Sequence, residues 1–249
     1  MGSIVELGGQ FVDGLGQVLR FLNGLMGFTG EYSWAFAIIA LTVLVRVLLL
    51  PLAIKQINSM RAMQKIQPEM KKLQNKYKTD RSLIKTDPEK FKAQRQKQQE
   101  AMQALYKEHN VNPAAGCLPL LAQAPIFFAL FRLLYSGRVE ELDQAGFFLI
   151  NSLSSFPQNA GFGAFVLVAL MGATTFLTQK QMMASNPASA QMPQQKILLY
   201  VMPIMLLVFS FNIPVGVLLY WVTTNVWTMG QQWVMFRNVG PPQNPAKTT

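Results

Sequence analysis

Residues 34–54 read WAFAIIALTVLVRVLLLPLAI, an apolar run in which Arg46 is the single charged residue. A bilayer core about 30 Å thick is crossed by a helix of about 20 mostly apolar residues. The run therefore predicts a membrane-spanning helix over residues 34–54, and it places a guanidinium group inside that helix.

Further apolar runs follow, separated by turns or polar loops. They are Cys117–Tyr135, Gly161–Gln179, the shorter Ile197–Phe211, and Val215–Phe236. Charged residues make up only 14% of the chain, against about 25% in an average soluble domain. Unbroken apolar runs favour helices, because strands of a membrane barrel would alternate apolar and polar residues. The sequence predicts an all-α integral membrane protein with five transmembrane helices, the first over 34–54 and the other four within 113–236.

The basic residues predict how these spans are oriented. Fourteen of the 22 Lys and Arg residues lie in Lys55–Glu108, and the segments 180–196 and 237–249 are also basic and contain no acid. In contrast, residues 1–33 and 136–160 each hold one basic residue and three acids. Loops rich in Lys and Arg stay in the cytosol. We therefore expect an external N-terminus and a cytosolic C-terminus, with 237–249 as a short cytosolic tail.

Residues 1–33 contain the pattern of an amphipathic helix. Apolar residues recur at three- and four-residue spacings, at Phe11, Leu15, Val18, Leu22 and Leu25. The pattern predicts an external helix that lies in the membrane interface. The alternative is a helix that packs the same apolar face on the bundle.

Residues 55–112 predict a basic cytosolic hairpin of two helices. The first helix should kink at Pro68. The second begins at residues 86–89, TDPE, which match a capping box with Pro88 in the first turn. Its basic face suits a loop beside anionic lipid better than a nucleic-acid site, so no specific nucleic acid is expected as a partner.

Arg46 is the most unusual residue of the predicted spans. It lies roughly 12 Å from the cytosolic end of the first span, at 1.5 Å per residue. No Asp or Glu falls in any span, and arginine keeps its proton in proteins. The side chain could snorkel to the interface, but it reaches only about 6–7 Å. A water-filled cavity open to the cytosol is the favoured interpretation.

Other polar side chains are concentrated in the cytosolic halves of the spans. Thr42 precedes Arg46 by one helical turn, and Gln123 lies at a similar depth in the second span. The others include Thr174 and Thr175 in the third span and Thr224 and Asn225 near the middle of the fifth. Each threonine alone is better explained by a bond to its own helix. Together with Arg46, they favour an aqueous vestibule that closes toward the outside.

The sequence offers no basis for enzymatic or metal chemistry. Cys117 and His109 are the only cysteine and histidine, and neither has a suitable partner nearby in sequence. We expect no catalytic residues, no metal and no cofactor.

Several short motifs occur in a fixed order along residues 32–237. They include TVLVR at 42–46, VNP at 111–113, GCLPLL at 116–121, PIF at 125–127, QQK at 194–196, MP at 202–203, and GVLLYW at 216–221 with TN at 224–225. In this combination the chain resembles the YidC family of membrane-protein insertases, which has mitochondrial and chloroplast relatives. The CLP and QQK forms resemble the bacterial members, although Lys85–Lys97 looks like an insertion in the hairpin.

The resemblance implies a five-helix core with a hydrophilic groove that opens to the cytosol and to lipid. The family's groove positions fall on Arg46, Thr42, Gln123 and Thr224, with an aromatic position on Trp221. The family's surface for sliding substrate helices falls on Ala124, Pro125 and Phe209.

The resemblance also implies a function and partners. The protein would move hydrophilic tails of nascent membrane proteins across the bacterial cytoplasmic (inner) membrane and release their helices into lipid. The implied partners are nascent membrane proteins, the lipid bilayer, the ribosome, the Sec translocon and components of the signal recognition particle. Two alternatives are a small-anion transporter and an anion channel. No inverted repeat supports the first, and a lone cation makes a poor selectivity ring for the second.

Overall fold

The protein is described by a computed structural model that covers residues 2–77, 86–112, 118–185 and 193–236. Nine α-helices fill most of these residues. They are α1 Gly2–Leu25, α2 Ser33–Leu48, α3 Leu50–Lys65, α4 Gln67–Lys76, α5 Pro88–Glu108, α6 Leu118–Tyr135, α7 Phe162–Ser185, α8 Pro193–Ser210 and α9 Val215–Phe236. Short 3-10 helices occupy Gly27–Tyr32, Glu140–Leu142 and Pro157–Asn159. The described part of the chain is thus helical, as predicted, and its only β-type pairing is an isolated bridge between Phe147 and Ile150.

The first predicted span is divided into two helices, which corrects the expectation of one helix over 34–54. α2 ends at Leu48, and α3 begins at Leu50 with Pro51 in its first turn. Proline lacks an amide hydrogen and its ring disturbs the preceding turn, so a helix breaks most easily just before it. As a result, Arg46 lies in the last turn of α2.

Two of the described helical segments, Gly27–Leu48 and Phe162–Ala184, have the length and apolar composition needed to cross a bilayer. Ala122–Tyr135 and Leu199–Ser210 are apolar but shorter. The predicted turn between the last two spans is confirmed, because α8 ends at Ser210 and α9 starts at Val215. The count of five spans stays a prediction.

The packed core of the bundle surrounds α9. This helix packs most extensively on α7 and α2 and also touches α6, whereas α8 packs mainly on α7. The fully buried core side chains include Ile38, Leu41, Leu130, Leu133, Val217 and Leu218. At Gly216 an added Cβ would lie 3.1 Å from both Ile38 Cδ1 and the Leu153 carbonyl oxygen, which is tighter than an ordinary contact, so glycine suits the close packing of α9 on its neighbours. The predicted outer half of the bundle is therefore tightly packed and apolar.

The loop between α6 and α7 closes over this packed end. Its residues Leu142, Ile150 and Leu153 are buried. The amides of Val215 and Gly216 donate to the carbonyls of Ser155 and Leu153, at 2.9 and 2.7 Å. The loop thus satisfies the first free amides of α9.

The N-terminal helix packs on the bundle instead of lying apart from it. Val12 and Leu19 on α1 are buried against α2 and α6, and Leu15 and Leu22 pack beside them. Three of the five residues of the predicted apolar face stay exposed: Phe11, Val18 and Leu25. The buried face is rotated from the predicted one, because the helix carries apolar residues on more than half of its circumference. An interfacial position for the exposed strip stays a prediction.

The two arms of the predicted hairpin contact each other through α4 and α5. The helix is interrupted at Ile66, between α3 and α4, which confirms the kink expected at Pro68. A separate apolar cluster joins the arms, formed by Met63, Ile66, Met70, Met102, Leu105 and Val111. Near it, the Nε2 atom of His109 lies 2.9 Å from Glu69 Oε2. The turn of the hairpin falls outside the described residues.

The start of α5 differs in detail from the predicted capping box. The capping residue is Asp87 instead of Thr86, and its side chain accepts a hydrogen bond from the amide of Lys90 at 3.0 Å. Pro88 at the first helical position fixes the helix start immediately after Asp87. The aspartate then satisfies an amide that the helix itself leaves free.

One basic residue, Arg132, was not included in the charge counts of the predicted loops. Arg132 lies inside the second predicted span, in the last turn of α6, and it is exposed. A basic residue near the predicted outer end runs against the charge bias that favours the cytosolic side. A cation at a helix C-terminus is nevertheless favourable, because it faces the negative end of the helix dipole.

Candidate functional site

The side chain of Arg46, which extends from α2 toward α9, is partly buried. Its Nη2 atom donates to the main-chain oxygen of Thr224 at 3.3 Å. Its Nε atom is buried and has no hydrogen-bond partner within the described part of the chain. The described salt bridges do not include Arg46, so its positive charge is not paired with a carboxylate there.

A second set of hydrogen bonds joins α6 to α9 beside this arginine. The Nε2 atom of Gln123 donates to the hydroxyl oxygen of Tyr220 and, at 3.2 Å, to Oγ1 of Thr224. The Thr224 carbonyl also accepts a bond from the Thr228 hydroxyl at 2.8 Å. Thr224 therefore contacts both Arg46 and Gln123 and links the three helices at one level.

Thr42 does not share this environment, although it was predicted to line the groove. Its side chain is fully buried, and its hydroxyl donates to the carbonyl of Ile38 at 2.7 Å. A threonine inside a helix commonly satisfies its hydroxyl in this way. The structure thus places Thr42 in the packed core, one helical turn before Arg46 along α2.

Asn225, Thr174 and Thr175 form a different contact from the one expected. All three are buried, and the Asn225 amide donates to both threonine hydroxyls, at 3.1 and 2.9 Å. They join α9 to α7 through Asn225, whereas Arg46 and Gln123 contact α9 at the neighbouring Thr224. These residues therefore hold two helices together and do not form walls around Arg46.

The aromatic position predicted at Trp221 packs against α6. Its ring meets that of Phe127 edge to face, with centroids 5.3 Å apart. Of the three predicted slide residues, Pro125 and Phe209 are exposed and Ala124 is partly buried. Phe209 continues an exposed apolar surface of α8 that includes Tyr200, Ile204, Met205 and Val208.

Tyr220 is the site residue that the sequence analysis did not select. It is 1% exposed, and its hydroxyl is bonded to Gln123 at the level of Arg46. The signal was present in the spacing, because Tyr220 precedes Thr224 by four residues and therefore shares its helix face. A tyrosine in an apolar run is easily assigned to the core, and only its hydroxyl partner reveals the polar role.

The arrangement can attract and solvate an anion. A guanidinium is permanently charged, and no carboxylate in the described salt bridges offsets the charge of Arg46. The neighbouring amide and hydroxyl groups can form hydrogen bonds to a polar chain. Among the described residues, no three His, Cys, Asp or Glu side chains are grouped so that they could hold a metal ion.

Comparison with known proteins shows which family this chain is similar to. The family model described as 60Kd inner membrane protein matches residues 24–241. A curated relative from Streptomyces avermitilis, named membrane protein insertase YidC, is 39% identical over 252 residues, which cover 90% of this chain and 56% of the relative. A relative of the same name from Fusobacterium nucleatum is 37% identical over 220 residues, covering 88% of this chain and 94% of the relative.

A solved structure has a similar fold. It is titled active YidC insertase crystal structure with the first transmembrane domain resolved, and the two chains align with a TM-score of 0.62 at 27% identity. The alignment covers 90% of this chain but 46% of the solved one, so this chain spans about half the length of that protein. With the matched model covering most of its length, this chain belongs to the 60Kd inner membrane protein family, the YidC family.

Proposed function

We propose that this protein is a membrane-protein insertase, which moves hydrophilic tails of nascent membrane proteins across the bilayer and releases their helices into lipid. The observation that carries the proposal is the state of Arg46. It is partly buried beside a polar cluster of three helices, and its guanidinium meets a carbonyl instead of a carboxylate. A permanent cation with spare donors suits a mobile acidic segment, which must bind and then leave.

The proposed path needs only half of the bilayer to be polar. A substrate tail enters from the cytosol and exchanges water for the groups around Arg46, which lowers the cost of removing polar groups from water. The tightly packed core around Ile38 and Val217 closes the other half. The membrane potential, positive outside, then favours transfer of each acidic charge by about 2.3 kcal/mol per 100 mV.

The exposed apolar surface of α8 provides the proposed exit. In water such a surface would be costly, whereas in lipid it can exchange acyl chains for the apolar helix of a substrate at little cost. Pro125 on α6 and Phe209 on α8 are both exposed and belong to this proposed route. No covalent chemistry is required.

The proposal includes a topology, a location and partners. Five spans cross the bacterial cytoplasmic membrane, with the N-terminus outside, and the α3–α5 arms project into the cytosol. The exposed strip of α1 rests in the outer interface. The ribosome, the Sec translocon and signal recognition particle components are proposed to meet the cytosolic arms.

Purified protein in liposomes tests the proposal directly. A small single-span substrate with an acidic tail is added to the outside of vesicles in which the cytosolic face is exposed, and insertion is scored by protease protection. We expect protected substrate only in vesicles that contain the protein. A photo-crosslinker at Phe209 should capture the substrate helix, while one at the exposed Phe21 of α1 serves as the matched control. Equal protection in empty vesicles would refute the proposal.

A further inference from the structure

A buried polar contact joins α7 and α9 at the level of Arg46. The Nδ2 atom of Asn225 donates to Oγ1 of Thr174 at 3.1 Å and to Oγ1 of Thr175 at 2.9 Å. Both hydrogens of the amide nitrogen are therefore used. All three residues are buried.

The hydrogen-bond directions in this contact are fixed. The Thr174 hydroxyl donates its own hydrogen to the Leu170 carbonyl at 2.7 Å, so its oxygen can only accept from Asn225. A directed chain thus runs from Asn225 through Thr174 to the backbone of α7. Such a chain specifies the rotation of α9 more closely than apolar packing does, because its bonds depend on angle as well as distance.

The rotation of α9 matters because Asn225 directly follows Thr224. Neighbouring residues of a helix point about 100° apart, at 3.6 residues per turn. While Asn225 faces α7, Thr224 presents its carbonyl to Arg46 and its hydroxyl to Gln123. A rotation of α9 that broke the first contact would move Thr224 away from both.

We propose that Asn225, held by Thr174 and Thr175, is a positioning residue that sets α9 so that Thr224 holds Arg46 in the candidate site. It does not contact Arg46 itself. The inference rests on the proposed function only for its role in substrate handling. The placement of Arg46 is a separate, measurable consequence.

The test compares three changes in a C117A/T224C background, which retains the Thr224 main-chain carbonyl. N225L removes the amide at similar size. T174V/T175V removes both acceptors and keeps the β-branched shape. T178V is the matched control, because Thr178 is a buried threonine on the same helix whose hydroxyl has no partner among the described residues.

The readout is the ratio of the reaction rates of the new thiol with an anionic and a cationic methanethiosulfonate reagent of similar size. Near Arg46 the anionic reagent is favoured. We expect N225L and T174V/T175V each to lower this ratio by about threefold or more, the scale produced when charges near 4 Å separate by a few ångströms. A variant that combines N225L with T174V/T175V should lower the ratio no further than either change alone. T178V should leave the ratio unchanged. If N225L fails to fold, the double threonine variant decides.

An unchanged ratio in folded T174V/T175V would overturn the proposal, as would an equal fall in T178V. Insertion of acidic-tailed and neutral-tailed substrates is measured in parallel, without the added cysteine. A preferential loss of the acidic substrate in N225L supports the positioning role. If the thiol ratio falls while every variant inserts both substrates as the wild type does, the placement of Arg46 by Asn225 stands and its role in substrate handling fails. If the wild-type protein inserts neither substrate, the proposed function fails independently of the thiol ratio.

Discussion

The Nη2 atom of Arg46 donates to the main-chain oxygen of Thr224, 3.3 Å away and 178 residues later in the chain. A carbonyl orients the guanidinium without neutralising it. A carboxylate in the same place would compete with an acidic substrate for the same charge. The contact therefore holds Arg46 in place and leaves it electrostatically available.

The first prediction concerns this charge. R46A should reduce insertion of a substrate with an acidic tail by about fivefold or more, since a partly screened charge pair is worth on the order of 1 kcal/mol. R46K should retain most of the activity, because attraction of a mobile carboxylate needs charge more than a planar fork. The rates are measured in proteoliposomes, with a neutral-tailed substrate as the control. Wild-type insertion of the acidic substrate by R46E would contradict the electrostatic role.

Tyr220 gives a prediction about stability. Y220F removes the hydroxyl that accepts from Gln123 inside the bundle, so the free energy of unfolding should fall by about 1 kcal/mol. Thermal unfolding in detergent measures the change. Y200F is the matched control, because Tyr200 on α8 is 60% exposed. Equal unfolding temperatures for the two variants would show that the Gln123 bond adds no net stability.

The helical architecture was predictable because long apolar runs leave few alternatives for the backbone. The limits of the helices were less so. The helix of the first apolar run is interrupted at Leu49, just before Pro51. Apart from the proline, nothing in the apolar run indicates this interruption. A proline in a membrane helix is often tolerated, so its presence alone does not predict a break.

The candidate site was predicted in part. Arg46, Gln123 and Thr224 do meet, because each is a polar residue whose burial in an apolar bundle requires polar partners. Thr42 and Asn225 were assigned to the same cavity and lie elsewhere. Which neighbour a helix face meets depends on how the helix is rotated within the bundle, and a helix that is apolar on all sides carries little information about that rotation in its own sequence.

Topology is the third prediction. Cysteines replacing Gln99 on α5 and Gln158 in the loop before α7 are placed in a C117A background, and both positions are exposed. A membrane-impermeant thiol reagent should label Gln99→Cys from the cytosol and Gln158→Cys from the outside, because the flanking charges differ in sign. Permeabilised vesicles provide the control in which both react. Labelling of both sites from one side would rule out the proposed arrangement of spans.

The fourth prediction concerns the cytosolic arms. Deletion of residues 79–98 should leave the spans folded, because the apolar cluster around Met102 and Leu105 packs on α4 apart from the main core. Delivery of ribosome-bound substrate should fall, since the deletion removes most of the basic face of α5. Insertion of the same substrate added after synthesis is the control and should change little. A loss of thermal stability that parallels the loss of delivery would indicate a structural role instead.

The last prediction separates an insertase from an anion channel or transporter. A channel requires a polar path through both halves of the bundle, whereas an insertase requires a wet cytosolic half and a lateral exit. T224C should react with a charged thiol reagent from the cytosolic side, because Thr224 lies beside Arg46 and is only partly buried. I38C should not react from either side, since Ile38 is fully buried in the packed core of the predicted outer half. T42C should also stay unreactive, although Thr42 is polar, because its side chain is equally buried. Planar bilayers supply the opposing measurement: steady anion conductance that disappears in R46A would favour the channel and exclude a closed outer half.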